Sequence, residues 1–395
     1  MKLLIHDLKD EEYKKIAGLY EGWKVISDNG LIRPCSGCFG CWLKKPGECV
    51  IRDGYHRMGA LIHRAGEVVI ISRYTYGGVS SFIKNVLDRS ISYVLPFFEL
   101  VDGEMHHKSR YPGEKTMTFI FRGSGLTDEE KRKAETYVAA VCRNLHGRIE
   151  AVEFEECEER IPDHTKQLQD SDPIQCEEHK EAAGGKKTVL LNCSLRGENA
   201  NSKKFLDRLS GMLLVPAEQI NIGPFISRLE ELGDRLDQAE TIVLGMPLYV
   251  DGIPSAPLRL MEWLERFGRM ENKKVYVVAN MGFYESSQIR NLLGMVRMWC
   301  EKCSYAYCGG IAIGAGEMMG KMMAGKSIEK GPAANVGKGL RTLAGTIDSA
   351  SRMEDLYADP DKFPRIFYML AGNLSWPHGA KANGLKTKDL YQQAI

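Results

Sequence analysis

Ten short apolar runs, rich in β-branched residues, recur along this chain in two sets of five, with longer amphipathic segments between them. The first set is KLLIH, GWKVIS, EVVIIS, TMTFIF and IEAVEF; the second is KTVLLNCS, AEQINIG, ETIVLGMP, KVYVVANM and YCGGIAIGAG. Helix-patterned stretches such as SSFIKNVLDRS, TDEEKRKAETYVAAVCRNL, APLRLMEWLERFG and ESSQIRNLLGMVRMWCEKC separate them. Strands with little polar alternation, each followed by an amphipathic helix, predict a parallel sheet covered on both faces. The fold class expected is therefore α/β, with two tandem doubly wound domains of five parallel strands each. The first spans 1–154. An acidic, polar linker follows over 155–186, then a second unit over 187–316 and a C-terminal extension over 317–395 whose structure the pattern does not assign.

Composition narrows the function. The 395 residues are 44% hydrophobic and 27% charged, enough for two ordinary cores, and the formal net charge of +1 gives no electrostatic case for nucleic acid or an anionic membrane. The N-terminus turns charged after MKLLIH, too soon for a secretory signal, and no run reaches the about eighteen apolar residues that span a bilayer. A cytoplasmic protein is expected, in which eleven cysteines are metal-binding, catalytic or inert rather than a disulfide set.

Ligands of open α/β sheets sit beyond the carboxyl ends of the strands. After the first strand of the second unit comes NCSLRGENANSKKF, which places Ser194, Arg196, Asn199, Asn201 and Ser202 just ahead of a helix. A helix start offers free N–H groups and a positive dipole end, which suits a phosphate; the same residues also serve as ordinary caps. After the third strand comes GMPLYVDGIPS, where Leu248, Tyr249 and Val250 stay apolar among Pro247, Gly252 and Pro254. Such residues would pack on a flat aromatic ligand, or the tyrosine simply covers the core. The first unit has a counterpart to this loop, SRYTYGGVSSFIKNVLDR, but its first strand enters IHDLKDEEY, whose carboxylates would repel a phosphate.

The stretch RPCSGCFGCWLKKPGECVIRD gathers Cys35, Cys38, Cys41 and Cys49, with two, two and seven residues between them and glycines that allow a tight curl. Four thiolates so arranged can hold a 4Fe–4S cluster; zinc, a redox dithiol and buried free thiols remain open on the residues alone. Cys300, Cys303 and Cys308 read as buried thiols. His106 and His107, in DGEMHHKSRY, read as part of a polar loop touching a neighbouring domain. The segment GGIAIGAGEMMG imitates a dinucleotide fingerprint without the unit that should follow it, and its methionines read as packing.

Taken together, CSLRGENANS and GMPLYVDGIPS resemble the phosphate and isoalloxazine loops of flavodoxin-like, NAD(P)H-dependent FMN reductases. The first unit, with its cysteine run ahead of SRYTYGGVSS, resembles the iron–sulfur flavoprotein branch of that group. The resemblance covers roughly Met1 to Asn144 and Lys187 to Gly316. It implies FMN, with phosphate contacts from Ser194, Arg196, Asn199, Asn201 and Ser202. Ring contacts would come from Pro247, Leu248, Tyr249, Val250, Asp251 and Gly252, with Asn280, Gly282 and Phe283 at the far edge. It implies a 4Fe–4S cluster on Cys35, Cys38, Cys41 and Cys49. Two departures stand out: Cys193 replaces a glycine of the phosphate loop, and the first unit lacks that loop. The function implied is a flavin-dependent oxidoreductase passing reducing equivalents from NAD(P)H through FMN to a flavin, quinone or protein acceptor. No catalytic side chain is needed, because the flavin carries the chemistry. The units would act as an internal pseudo-dimer, and homodimers occur in the group. The alternatives are an electron carrier reduced by a partner protein, and a scaffold with decayed flavin sites. No nucleic-acid or membrane partner is implied.

Overall fold

The computed structural model describes residues 1–157, 187–268, 273–325 and 328–394. The linker expected over 155–186 lies outside them from 158 onward, and Glu155 closes a strand.

Two parallel sheets organise the chain. The first runs in the order Lys24–Ser27, Lys2–His6, Glu67–Thr75, Lys115–Arg122, Gly147–Glu155, with the two-residue strand Gly78–Val79 folded back antiparallel on Glu67–Thr75. The second runs Glu218–Asn221, Thr188–Asn192, Thr241–Pro247, Lys274–Asn280, Ala306–Ile313, Leu356–Ala358, all parallel. Both contain the 2-1-3-4-5 order of flavodoxin-like sheets. In the second sheet the central strand Thr241–Met246 is entirely buried because helices cover both its faces, whereas Lys115–Arg122 of the first sheet alternates buried with half-buried residues and the edge strand Gly147–Glu155 is half in water. All ten expected strands form. The sixth strand of the second sheet, Leu356–Ala358, comes from the C-terminal extension, and three residues are too few to leave a periodic signal.

The halves pack through a reciprocal pair of helices, Ser81–Arg89 and Ser255–Phe267. Glu262 of the second helix accepts hydrogen bonds from the Ser81 backbone N–H at 3.0 Å and its hydroxyl at 2.6 Å. Asp88 of the first accepts from the Ser255 N–H at 2.9 Å. Ser81 and Ser255 each open their helix, and Asp88 and Glu262 stand seven residues further on, so each helix satisfies the orphan donors of the other. That is the isologous pattern of a two-fold dimer, realised inside one chain.

One sequence expectation is corrected. DGEMHHKSRY is not a polar loop: Glu104–Ser109 pairs antiparallel with Val94–Val101 in a hairpin. Its two strands bury their residues without a regular alternation, so no period-two signal shows in sequence, and their burial comes from remote segments. Met105 N donates to Glu285 at 3.1 Å, and Asn373 brackets the Phe98 backbone at 2.7 and 3.3 Å. His106 is buried, and contact with the second half does occur. The C-terminal extension forms helices Gly316–Met322, Ala334–Asp348 and Arg365–Ala382. Among the described residues no helix is long and apolar enough to cross a membrane.

Candidate functional site

At the carboxyl edge of the second sheet, the strand Thr188–Asn192 ends on a buried asparagine that arranges the next ten residues. Asn192 Oδ1 accepts from Ser194 N at 3.2 Å and Ser202 Oγ at 2.9 Å, while its Nδ2 donates to Gly197 O at 3.1 Å and Asn221 Oδ1 at 2.8 Å. Ser194 Oγ in turn accepts from Arg196 N at 3.3 Å. The loop is thereby curled over the start of helix Asn201–Ser210, with Ser194, Asn201 and Ser202 buried. Cys193 points into the core, where burial pushes its thiol up, so it fills space beneath the loop.

The loop after Thr241–Pro247 is anchored by Leu248 N on Asn280 O, 2.8 Å. Tyr249 and Gly252 then exchange backbone bonds of 3.3 and 3.1 Å around Val250 (φ 37°) and Asp251 (φ 57°). A β-branched residue in the left-handed region is strained and persists only where surrounding contacts over-determine it. Those contacts come from the other half. Lys84 Nζ donates to Tyr249 O at 2.7 Å, and Asn144 Nδ2 donates to Asp251 Oδ2 at 2.5 Å. Lys84 also pairs with Asp88, both fully buried. Burial pushes the Asp251 carboxyl up, opposed by the Asn144 bond and by the nearby His106 and Lys84.

The cysteine loop closes over this edge. Gly37 (φ +64°) lies so close to Tyr249 that a Cβ would fall 1.8 Å from the phenol oxygen, so only glycine permits the approach. Arg89, fully buried, ties both ends of the loop: it donates to Arg33 O (2.7 Å), Ile51 O (3.1 Å) and both Asp53 oxygens (2.7 and 2.9 Å). Cys38 Sγ accepts from Gly40 N at 3.4 Å. Burial, reinforced by Asp88, pushes Cys35 up to about 12, and burial followed by the neighbouring Cys35 pushes Cys41 well up too. Arg110, also buried, donates to the carbonyls of Ser92, Val94, Leu390 and Gln392, and its charge faces Cys41. Among the described residues no group of three or more His, Cys, Asp or Glu side chains is gathered tightly enough for a single metal ion.

These loops enclose a mostly apolar cavity of about 590 Å³. Of the residues singled out from sequence, Ser194, Arg196, Asn201, Ser202, Pro247, Leu248, Tyr249, Val250, Asp251, Asn280, Gly282, Phe283 and all four cysteines of the loop line it. Asn199 does not; it is exposed on the outer turn. Gly252 does not either, packing instead on Met295 and Tyr137. Cys300 and Cys308 are buried in the second half, and Cys303 is half-buried there. Sequence reasoning missed the far wall. Tyr368, Gly372 and Trp376 of helix Arg365–Ala382 face the cavity, and Trp376 meets Phe39 and Trp42 edge-on, at 5.5 and 5.2 Å between centroids. The only signal was the unexplained apolar content of FPRIFYML and LSWPHG. His107 also lines the cavity, its Nδ1 3.2 Å from Pro96 O; burial lowers it to about 3, so it is neutral near pH 7. In the first half the equivalent position is closed: Asp7 accepts from Arg73 N at 3.0 and 3.1 Å where a phosphate loop would lie.

No family model matches the chain. Over 130 residues it is 28% identical to an FMN-dependent NADH:quinone oxidoreductase of Burkholderia thailandensis and 26% identical to one of Burkholderia pseudomallei, a match covering 27% of this chain. The chain spans 65% of the length of these relatives. Among solved structures it is similar to an azoreductase from Bacillus anthracis (TM-score 0.31, 12% identity, 42% of this chain and 99% of that one). It is also similar to the Trp repressor binding protein of Bacillus subtilis (TM-score 0.26, 14% identity, 32% and 82%).

Proposed function

We propose that the chain is a flavin-dependent oxidoreductase that binds FMN on the second half and passes reducing equivalents from NAD(P)H to an acceptor of the quinone type. The observation that carries this is the single cavity in which a polar, helix-opening loop and an apolar, tyrosine-bearing loop meet at the carboxyl edge of one sheet. Its volume lies within the roughly 300–1,000 Å³ of small-molecule sites. The residues fit the group. Ser194, Arg196, Asn201 and Ser202 would hold the phosphate, and Leu248, Tyr249, Val250 and Phe283 would flank the ring. Gly282, whose Cα has nothing but space where a Cβ would be, would let the ring edge approach. Bound FMN would supply hydride and electron transfer. The chain's own part is to orient and to exclude water. Lys84 and Asn144 lock the loop beside the ring, and Trp42, Phe98 and Trp376 shield it.

The halves would be two domains, 1–154 and 187–316, acting as a pseudo-dimer, with the first supplying a wall rather than a second flavin site. The four loop cysteines would hold a 4Fe–4S cluster, which would add one-electron steps. The donor set is all thiol, Gly40 offers an N–H to Cys38, and two buried arginines, Arg89 and Arg110, stand beside Cys49 and Cys41, ready to balance an anionic centre.

An anaerobic preparation tests both readings. FMN uptake at about one per chain, with NADH or NADPH oxidation that depends on added quinone, is the expected result. Protein that takes up no FMN would sink the proposal, and flavin binding without NAD(P)H oxidation would leave an electron carrier. About four irons per chain, lost in the Cys38→Ser variant with FMN retained, would establish the cluster.

A further inference from the structure

Helix Gly316–Met322 follows the strand Ala306–Ile313 and lies directly against the phosphate loop. At Gly320 the contact is so close that a Cβ would stand 2.3 Å from Asn201 Oδ1. From this helix two charged side chains one turn apart, Glu317 and Lys321, reach the wall shared with Ser194 and Ser202. Glu317 Oε1 accepts from Arg196 Nη1 at 3.0 Å. The guanidinium that lines this wall is thus already held by a carboxylate from a different element.

We propose that Arg196, Glu317 and Lys321 form a charge-exchange site for a phosphate monoester, resting on the FMN reading above. Arg196 and Lys321 take the phosphate, and Glu317 gives up the guanidinium and turns outward. A phosphate monoester carries about −1.5 to −2 near neutral pH. The Arg196–Glu317 pair offers a net charge of zero. The start of helix Asn201–Ser210 adds about half a positive charge. Without Lys321 the loop would stay short of cation, and with Glu317 left in place it would set a carboxylate beside the anion. Lys321 therefore strengthens binding of the phosphorylated flavin, while Glu317 weakens it and keeps Arg196 aimed at the cavity. Riboflavin has the same ring system and no phosphate, so neither side chain bears on it. The segment GEMMGK, whose methionines read as packing in sequence, becomes part of the specificity of the site.

The test compares dissociation constants for FMN and riboflavin, by flavin-fluorescence titration at low ionic strength, in the unmodified chain, Lys321→Gln and Glu317→Gln. Glu317 is half-buried and Lys321 exposed, so each effect is discounted from a buried charge-assisted bond to roughly three- to fivefold. Lys321→Gln is expected to weaken FMN by about that factor and Glu317→Gln to tighten it, with riboflavin moving less than about twofold in either and both differences shrinking as salt is added. Equal changes for the two flavins would mean a packing role and overturn the proposal, as would an unchanged FMN-to-riboflavin ratio in both variants. An unmodified chain that binds neither flavin overturns the FMN reading and this inference together; normal FMN binding with an unchanged ratio overturns this inference alone.

Discussion

Replacing Lys84 by methionine probes the joint between the halves, because this one ammonium serves both sides of it. Lys84 is fully buried, pairs with Asp88, and holds the carbonyl of Tyr249, 165 residues away. Removing it leaves a buried carboxylate with the Ser255 N–H as its principal remaining partner. Breaking a buried pair from one side costs about 3–5 kcal/mol, since the surviving charge keeps its desolvation penalty. Adding Asp88→Asn removes that charge while its amide oxygen can still accept from Ser255, so the double variant should lose only about 1–2 kcal/mol relative to the parent. Burial pushes the Asp88 carboxyl up, and the ammonium that opposes this is gone in the single variant. A carboxyl with a raised folded-state pKa contributes most at low pH and loses its contribution as pH rises through that value, so the deficit of Lys84→Met must widen from pH 5 to pH 8. Urea unfolding followed by tryptophan fluorescence at both pH values measures all three quantities. A single variant within about 1 kcal/mol of the parent, or a double variant no better than the single, would refute the account of the joint.

Other outcomes follow from the same contacts. Gly37→Ala should destabilise by at least about 1 kcal/mol and weaken FMN binding, because the methyl collides with Tyr249 and the backbone is left-handed; unchanged FMN affinity would contradict the placement of that tyrosine. Asp53 is held at about 2, burial being overcome by the Arg89 bonds and the Arg33 N–H. A lowered carboxyl pKa gives stability that is present above about pH 4 and lost as pH falls toward 2, so Asp53→Asn should cost about 2 kcal/mol at pH 7 and flatten the acid limb of the stability profile. Trp376→Ala should open the cavity's outer wall at a cost of about 2 kcal/mol, read as faster iodide quenching of bound flavin with little change in the far-ultraviolet circular dichroism.

What could be read from the sequence was whatever is written within ten or fifteen consecutive residues. Runs such as TIVLGMP and EVVIIS announce central strands because a parallel strand is buried on both faces, and that leaves a local apolar mark. The loops at Ser194–Ser202 and Pro247–Gly252 could be located in the sequence because their polar, glycine and proline residues stand consecutively just after a strand-like run. Asn199 and Gly252 belong to these loops without lining the cavity, since sharing a loop says nothing about which way a residue faces.

The sequence by itself thus determined two flavodoxin-like sheets, the order of their strands' appearance, and the loops at their carboxyl edges. Tertiary structure alone decided that the second site is walled by the first half and by helix Arg365–Ala382. It also decided that Lys84 and Asn144 brace a loop more than a hundred residues away, that Glu317 holds Arg196, and that residues 94–109 form a hairpin. The reason is physical. Secondary structure follows from periodic burial along a segment, whereas a buried charge or a strained turn is stable only when a partner from elsewhere satisfies it. No spacing within the chain records where that partner will come from.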